Sequence, residues 1–107
     1  MPRYLLRLSA SADTWAAMIK DPSNRLEANR PVVESMGGKL EGYYFVVGEN
    51  EIVEILDMPD DVSMEAITIA ILASGAVKSI KTSTLLTAEE AMEAMRRAGD
   101  VGYRPPS

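Results

Sequence analysis

The stretch KLEGYYFVVGENEIVEILDM, residues 39–58, decides the fold. Its two halves, KLEGYYFVV (39–47) and EIVEILDM (51–58), are rich in the aromatic and β-branched residues that suit a pleated strand. Gly48-Glu49-Asn50 between them supplies turn chemistry, so the stretch reads as a β-hairpin. Side chains alternate between the faces of a strand, and here Leu40, Tyr44 and Val46 alternate with Tyr43, Phe45 and Val47. Both faces of the sheet are therefore substantially apolar, and each needs a covering layer. One residue departs from this pattern. Glu54 stands in the middle of an otherwise apolar strand.

On the N-terminal side, RYLLRLS (3–9) is a short apolar run bounded by Pro2 and the SASAD cluster, which predicts a first strand. Ser11 or Asp13 can cap a following helix carrying Trp15, Met18 and Ile19. Asp21-Pro22 then resembles a fresh N-cap with proline at the first helical position, so the helix restarts or bends there. Leu26, Val33 and Met36 continue the apolar stripe to Gly37-Gly38. Asn29 falls within the stripe, and Pro31 removes one internal hydrogen bond and is expected to kink the helix.

On the C-terminal side, Pro59-Asp60-Asp61 opens a helix in which Met64, Ile67, Ile69, Ala70, Ile71 and Leu72 are apolar around most of the circumference, ending at Gly75. AVKSIKTSTLL (76–86) reads as a fourth strand. Thr87 to Glu90 is a capping-box signature that starts a last helix through Met92 and Met95 to Gly99, and GYRPPS (102–107) reads as an extended arm.

The predicted order is β-α-β-β-α-β plus a helix, the split arrangement of a ferredoxin-like α+β sandwich with a four-stranded antiparallel sheet. The expected organisation is one domain over 1–99 and a tail over 100–107. Helices in such a fold cover one sheet face only. A second copy of the chain, sheet against sheet as in a dimeric α/β-barrel, is the simplest cover for the other, because twofold homodimers are the commonest assemblies.

Composition narrows the chemistry. With 107 residues, 47% of them apolar and 25% charged, the chain can bury a core without staples. Its net charge of −5, with no local Lys/Arg cluster, argues against nucleic acid and anionic membranes as partners. No apolar run approaches the roughly 20 residues that span a bilayer, and MPRYLLRLSA is too short for a secretory signal, so a cytoplasmic location is expected. There is no cysteine and no histidine. That removes thiolate nucleophiles, Cys- or His-based metal sites, histidine-ligated haem and a Ser-His-Asp triad, and no cofactor is expected. Acid–base chemistry is left to carboxylates, Tyr or Lys.

Several residues are candidates for such chemistry. If Val53 and Ile55 point to the helices, Glu54 shares the opposite face with Arg7, and an internal Arg7–Glu54 pair is expected, with Lys81 near it. Such a pair either fixes dimer register or marks a polar spot in a small apolar pocket. Arg25 and Asn29, one helical turn apart beside Pro31, are candidates to line a cleft between helix and sheet. Glu49, Asn50 and Glu51 form a candidate positioning loop, though turn residues ordinarily serve backbone and solvent. Asp57, Asp60 and Asp61 are better explained by helix capping than by a hard cation. The seven methionines and the Tyr43-Tyr44 pair read as packing residues, one of the tyrosines being placed to show its hydroxyl to a ligand.

GGKLEGYYFVVGE (37–49), ASGAVKSIKTSTLLTAEEAMEAMRRAG (73–99) and the closing YRPP (103–106) together resemble the GYD domain family over nearly the whole chain. The resemblance implies the dimeric α/β-barrel superfamily and no settled activity. It departs from the family at the start of the third strand. Where the family has glycine followed closely by Tyr-Asp, this chain has Gly48-Glu49-Asn50-Glu51, with Asn50 in place of a phenol and Glu51 keeping a carboxylate. The function expected is that of a small homodimer binding a small hydrophobic ligand or serving as an auxiliary component. The alternative is a cofactor-independent monooxygenase or isomerase acting on a small hydrophobic or aromatic substrate.

Overall fold

Local side-chain chemistry starts and stops each element in the computed structural model, which describes residues 1–107. Strand β1 (Arg3–Ala10) leads directly into α1 (Ala12–Lys20), whose N-cap Ser11 accepts a hydrogen bond from the Thr14 N–H. The chain breaks at Asp21-Pro22 and restarts as α2 (Arg25–Ser35), capped by Asn24 rather than by Asp21. Helix α2 runs through Pro31 to Ser35. Gly37 follows in the left-handed region at φ +79°, a conformation that glycine adopts without a Cβ penalty. At Gly38 a Cβ would sit 2.6 Å from the Asp57 carbonyl oxygen and 3.0 Å from Val33, so only glycine lets the end of α2 close on the sheet.

The hairpin forms as β2 (Lys39–Phe45) and β3 (Ile52–Asp57), each somewhat shorter than the sequence suggests because the turn begins at Val46. Asp60 caps α3 (Asp61–Ala73) through the Ser63 N–H, β4 spans Val77–Leu85, and the Thr87–Glu90 capping box starts α4 (Ala88–Ala98).

The four strands form one antiparallel sheet in the order β2-β3-β1-β4, the ferredoxin-like arrangement expected from the sequence. Register then assigns the faces. Tyr4, Leu6 and Leu8 of β1 stand opposite Leu56, Glu54 and Ile52 of β3, and residues directly opposite share a face. All six are buried, together with Val33, Leu40, Met58, Met64 and Ile67, so this is the face that the helices cover. Arg7 pairs with Val53 on the other face. The expected Arg7–Glu54 pair is therefore absent. The strand faces one residue out of phase with the expectation from sequence, and Val53 and Ile55, not Glu54, share the face with Arg7.

A second correction concerns β2. Its register with β3 shifts between Leu40 and Gly42, where Glu41 is the extra residue of a β-bulge. The bulge reverses the alternation, so Leu40 and Tyr43 lie on one face although their spacing places them on opposite faces of a regular strand.

Side-chain hydrogen bonds tie the helices to the sheet, among them Arg30 of α2 donating to the Leu40 carbonyl of β2 at 3.1 Å. The buried Tyr4 hydroxyl donates to Asp61 in the first turn of α3, and this bond, foremost, with burial pushes the Tyr4 phenol up to about 12. The Thr14 hydroxyl donates to the Ala76 carbonyl at 2.7 Å, joining α1 to the approach of β4. Helix α4, in contrast, lies away from the body. Its apolar stripe of Ala88, Ala91, Met92, Met95 and Ala98 leaves Met92 51% and Met95 70% exposed. The radius of gyration, 17.2 Å, exceeds the roughly 13 Å of a compact domain this size. No helix is long and apolar enough to cross a membrane.

Candidate functional site

Glu54 lies on the floor of a cavity of about 220 Å³ on the helix side of the sheet. Leu8 and Ala10 of β1 and Ile52 of β3 continue the floor, Tyr43 of β2 borders it, and Met18 of α1 and Ile71 of α3 form apolar walls. Arg25 and Asn29 enter from successive turns of α2, and Thr14 and Ser74 add hydroxyls. The cavity opens into a broader surface hollow that shares Thr14, Met18, Arg25, Ser74 and Ala76 with it and has Asp13 and Asp21 at its outer margin.

The Glu54 side chain is the only charged one in the core, at 6% exposure. No hydrogen bond and no ion pair within the chain holds its carboxyl, whose oxygens open onto the cavity. Burial pushes the carboxyl up to about 7, outweighing the opposing pull of the Arg25 charge. Tyr43, opposite Glu54 in the ladder, is also raised, by burial first and then by the Glu54 charge, while Arg25 lowers it. One cation, one phenol and one carboxyl thus share a small, largely apolar space. Asn29 donates its amide N–H to the Arg25 carbonyl at 2.8 Å, which holds the side chain against its own helix and leaves its oxygen free.

The remaining candidates lie elsewhere. Arg7 and Lys81 stand directly opposite each other in the β1–β4 ladder on the open face, where a polar hollow of about 370 Å³ also contains Glu49, Asn50, Glu51, Ser9 and Ser79. Arg7 reaches Glu51 at 3.7 Å. The Asn50 amide serves as an extra rung of the sheet: its oxygen accepts from the Ala10 N–H at 3.2 Å, its nitrogen donates to the Ala10 carbonyl at 3.0 Å, and the Trp15 indole N–H donates to the same oxygen at 2.9 Å. Asp57 pairs with Arg3, Asp60 caps α3 and Asp61 accepts from Tyr4, so the three do not converge on a metal.

The seven residues singled out from sequence thus divide between the faces, with Glu54, Arg25 and Asn29 beneath the helices and Arg7, Asn50, Glu51 and Lys81 on or beside the open face. From sequence Tyr43 reads chiefly as a packing residue, and the bulge at Glu41 is what turns it toward Glu54. Thr14 and Ser74 carried no sequence signal beyond their places near helix ends.

The chain matches the GYD domain family over residues 4–95. It belongs to that family. Solved structures resemble this GYD domain at low identity. A Pseudomonas aeruginosa protein is 14% identical, with 80% of this chain and 93% of that one covered, at a TM-score of 0.49. A NIPSNAP-family protein of unknown function from Agrobacterium tumefaciens is 14% identical, covering 78% and 86%, at a TM-score of 0.42. A further Agrobacterium tumefaciens structure is 13% identical, covering 82% and 94%, at 0.46. No curated protein matches this GYD domain.

Proposed function

We propose that this GYD domain binds a small, mostly apolar molecule in the cavity beneath its helices, with Glu54 meeting the ligand's polar group, and that it does so as a twofold dimer joined through the open sheet face and α4. The observation that carries the binding reading is the Glu54 carboxyl, which has no partner in the chain and turns its oxygens into the cavity from a residue only 6% exposed. A buried polar group normally has a hydrogen-bond partner, and one that lacks it destabilises the fold unless something else satisfies it. Apolar walls around a few placed polar groups are the usual make-up of a ligand site. At about 220 Å³ the space lies below the roughly 300–1,000 Å³ of drug-sized pockets and above the roughly 150 Å³ that admits benzene. A ring with a short side chain fits.

The dimer reading rests on two unpartnered surfaces. Leu5, Val53, Ile55 and Leu85 lie on the open sheet face among charges of both signs, Arg7 and Lys81 beside Glu51, an arrangement that can complement itself across a twofold axis. The α4 stripe leaves Met92 and Met95 uncovered, an apolar surface that a second copy would cover.

Mass spectrometry of the purified protein under native conditions, compared with the denatured chain, tests the binding reading. A released small molecule in the parent, lost in Glu54→Leu, supports it. A parent with no excess mass that also takes up no small aromatic probe contradicts it.

A second reading follows from the same carboxyl. A group titrating near 7 is matched to proton transfer at neutral pH, so Glu54 is suited to remove a proton from carbon next to a carbonyl. The C–H electron pair would pass to the carbonyl oxygen as an enolate, and the proton held on Glu54 would return to a different atom. Deuterium uptake from D₂O into the methylene group of phenylpyruvate, faster with the parent than with Glu54→Gln, is the outcome this isomerase-type reading requires. Equal rates remove it.

A further inference from the structure

We propose that the cavity selects a small monoanion, a carboxylate on an apolar body, gripped by the Arg25 guanidinium while the body rests between Met18, Ile52 and Ile71. The proposal rests on the binding reading above and names the ligand's class. Two observations and the chemistry of the side chain carry it. Arg25 has no acidic side chain within 4.0 Å, its polar neighbour being the Tyr43 hydroxyl, although every other arginine of the folded body, Arg3, Arg7 and Arg30, has one. It projects where the cavity meets the surface hollow, lining both. The planar guanidinium fork is also the side chain best matched to a carboxylate, which it binds through two parallel hydrogen bonds.

Charge counting favours an anion over an amine. Arg25 and Glu54 are the only charged residues in the cavity itself. Glu54 faces Arg25 from α2 and Tyr43 from β2, whereas α1 and α3 bring only Thr14, Met18 and Ile71, and the connection after α3 brings Ser74. Burial keeps Glu54 neutral under weakly acidic conditions, so the cavity lining carries the single positive charge of Arg25. A monocarboxylate neutralises it. A protonated amine would add a second cation. Asp13 and Asp21 lie at the outer hollow, exposed to water that screens them.

The experiment is a ligand-detected NMR titration of the intact protein with benzoate, phenylacetate and 3-phenylpropanoate, each beside its neutral amide, and with phenethylamine. The expected result at pH 6 is that at least one acid binds tenfold or more tightly than its own amide and than the amine. In Arg25→Gln the preference falls to parity, and in Arg25→Lys, which keeps the charge, part of it remains. A dispersed ¹⁵N–¹H spectrum of both variants shows that the fold persists. Acid binding weakens between pH 6 and pH 8 in the parent as Glu54 ionises, and that slope flattens in Glu54→Gln. Amides that bind as well as the acids overturn the anion proposal and leave the cavity reading in place. Binding of phenethylamine alone also overturns it, whereas no binding by any probe counts against both.

Discussion

Tyr43 and Glu54 stand directly opposite each other in the β2–β3 ladder, so phenol and carboxyl leave the sheet side by side on the face that the helices cover. This places an ionisable residue among Leu6, Leu8, Ile52 and Leu56, where nothing in the chain neutralises it fully. The cost of ionisation there links site to stability.

That link sets a pH dependence. Glu54 titrates at about 7 in the fold against 4.5 as its ordinary value. Because the folded value is the higher, its stabilising contribution is complete below pH 4.5 and is lost as the pH rises through about 7. The loss amounts to about 3 kcal/mol. Glu54→Gln is expected to be about 2–3 kcal/mol more stable than the parent at pH 8, with a smaller difference at pH 5, when urea midpoints are compared at each pH. A parent as stable at pH 8 as Glu54→Gln contradicts the burial of an ionised carboxyl.

Arg7 and Glu54 lie on opposite faces of the sheet and are expected to act independently. A double-mutant cycle with Arg7→Ala and Glu54→Ala, read from denaturation, should give a coupling energy below about 0.5 kcal/mol. Arg7→Ala alone should cost the monomer fold less than about 1 kcal/mol, since the Arg7–Glu51 pair is solvent-exposed. A coupling of several kcal/mol would restore the direct ion pair.

Asn50 holds the hairpin turn to Ala10 and Trp15 through three hydrogen bonds. Asn50→Ala should lower stability by about 2 kcal/mol, given roughly 1 kcal/mol net per bond and partial replacement by water. Asn50→Asp keeps the acceptor for two of the bonds but loses the donor to the Ala10 carbonyl, so an intermediate loss is expected. Thermal unfolding of the three proteins orders them.

The exposed α4 stripe is expected to serve assembly rather than the monomer fold. Met92→Glu with Met95→Glu should leave the circular dichroism of the body intact while shifting the protein to a monomer in sedimentation. A dimer unaffected by both changes would leave the open sheet face as the interface and remove α4 from it.

The element order, the hairpin and the caps at Ser11 and Thr87 were legible in the sequence because each has a local cause, whereas the cap of α2 fell at Asn24 and not at the expected Asp21. The facing of β3 was not legible. Ile52-Val53-Glu54-Ile55-Leu56 is apolar on both parities apart from the glutamate, so alternation gave no preference, and the aversion of charge to a core pointed the wrong way. Likewise the bulge at Glu41 has no residue signature strong enough to announce it, yet it alone brings Tyr43 beside Glu54. Arg25 and Asn29 were recognisable as one helix face, but their distance from Glu54 in the chain concealed that all three share one cavity.

The Glu54 carboxyl lies in the helix-side cavity, and its own titration reports on that placement. In protein labelled with ¹³C at the glutamate side-chain carboxyl, the resonance assigned through Glu54→Gln is followed from pH 4 to pH 9. A midpoint near 7 is expected, with Tyr43 ring signals moving in step. A midpoint near the ordinary 4.5, independent of Tyr43, would contradict that placement.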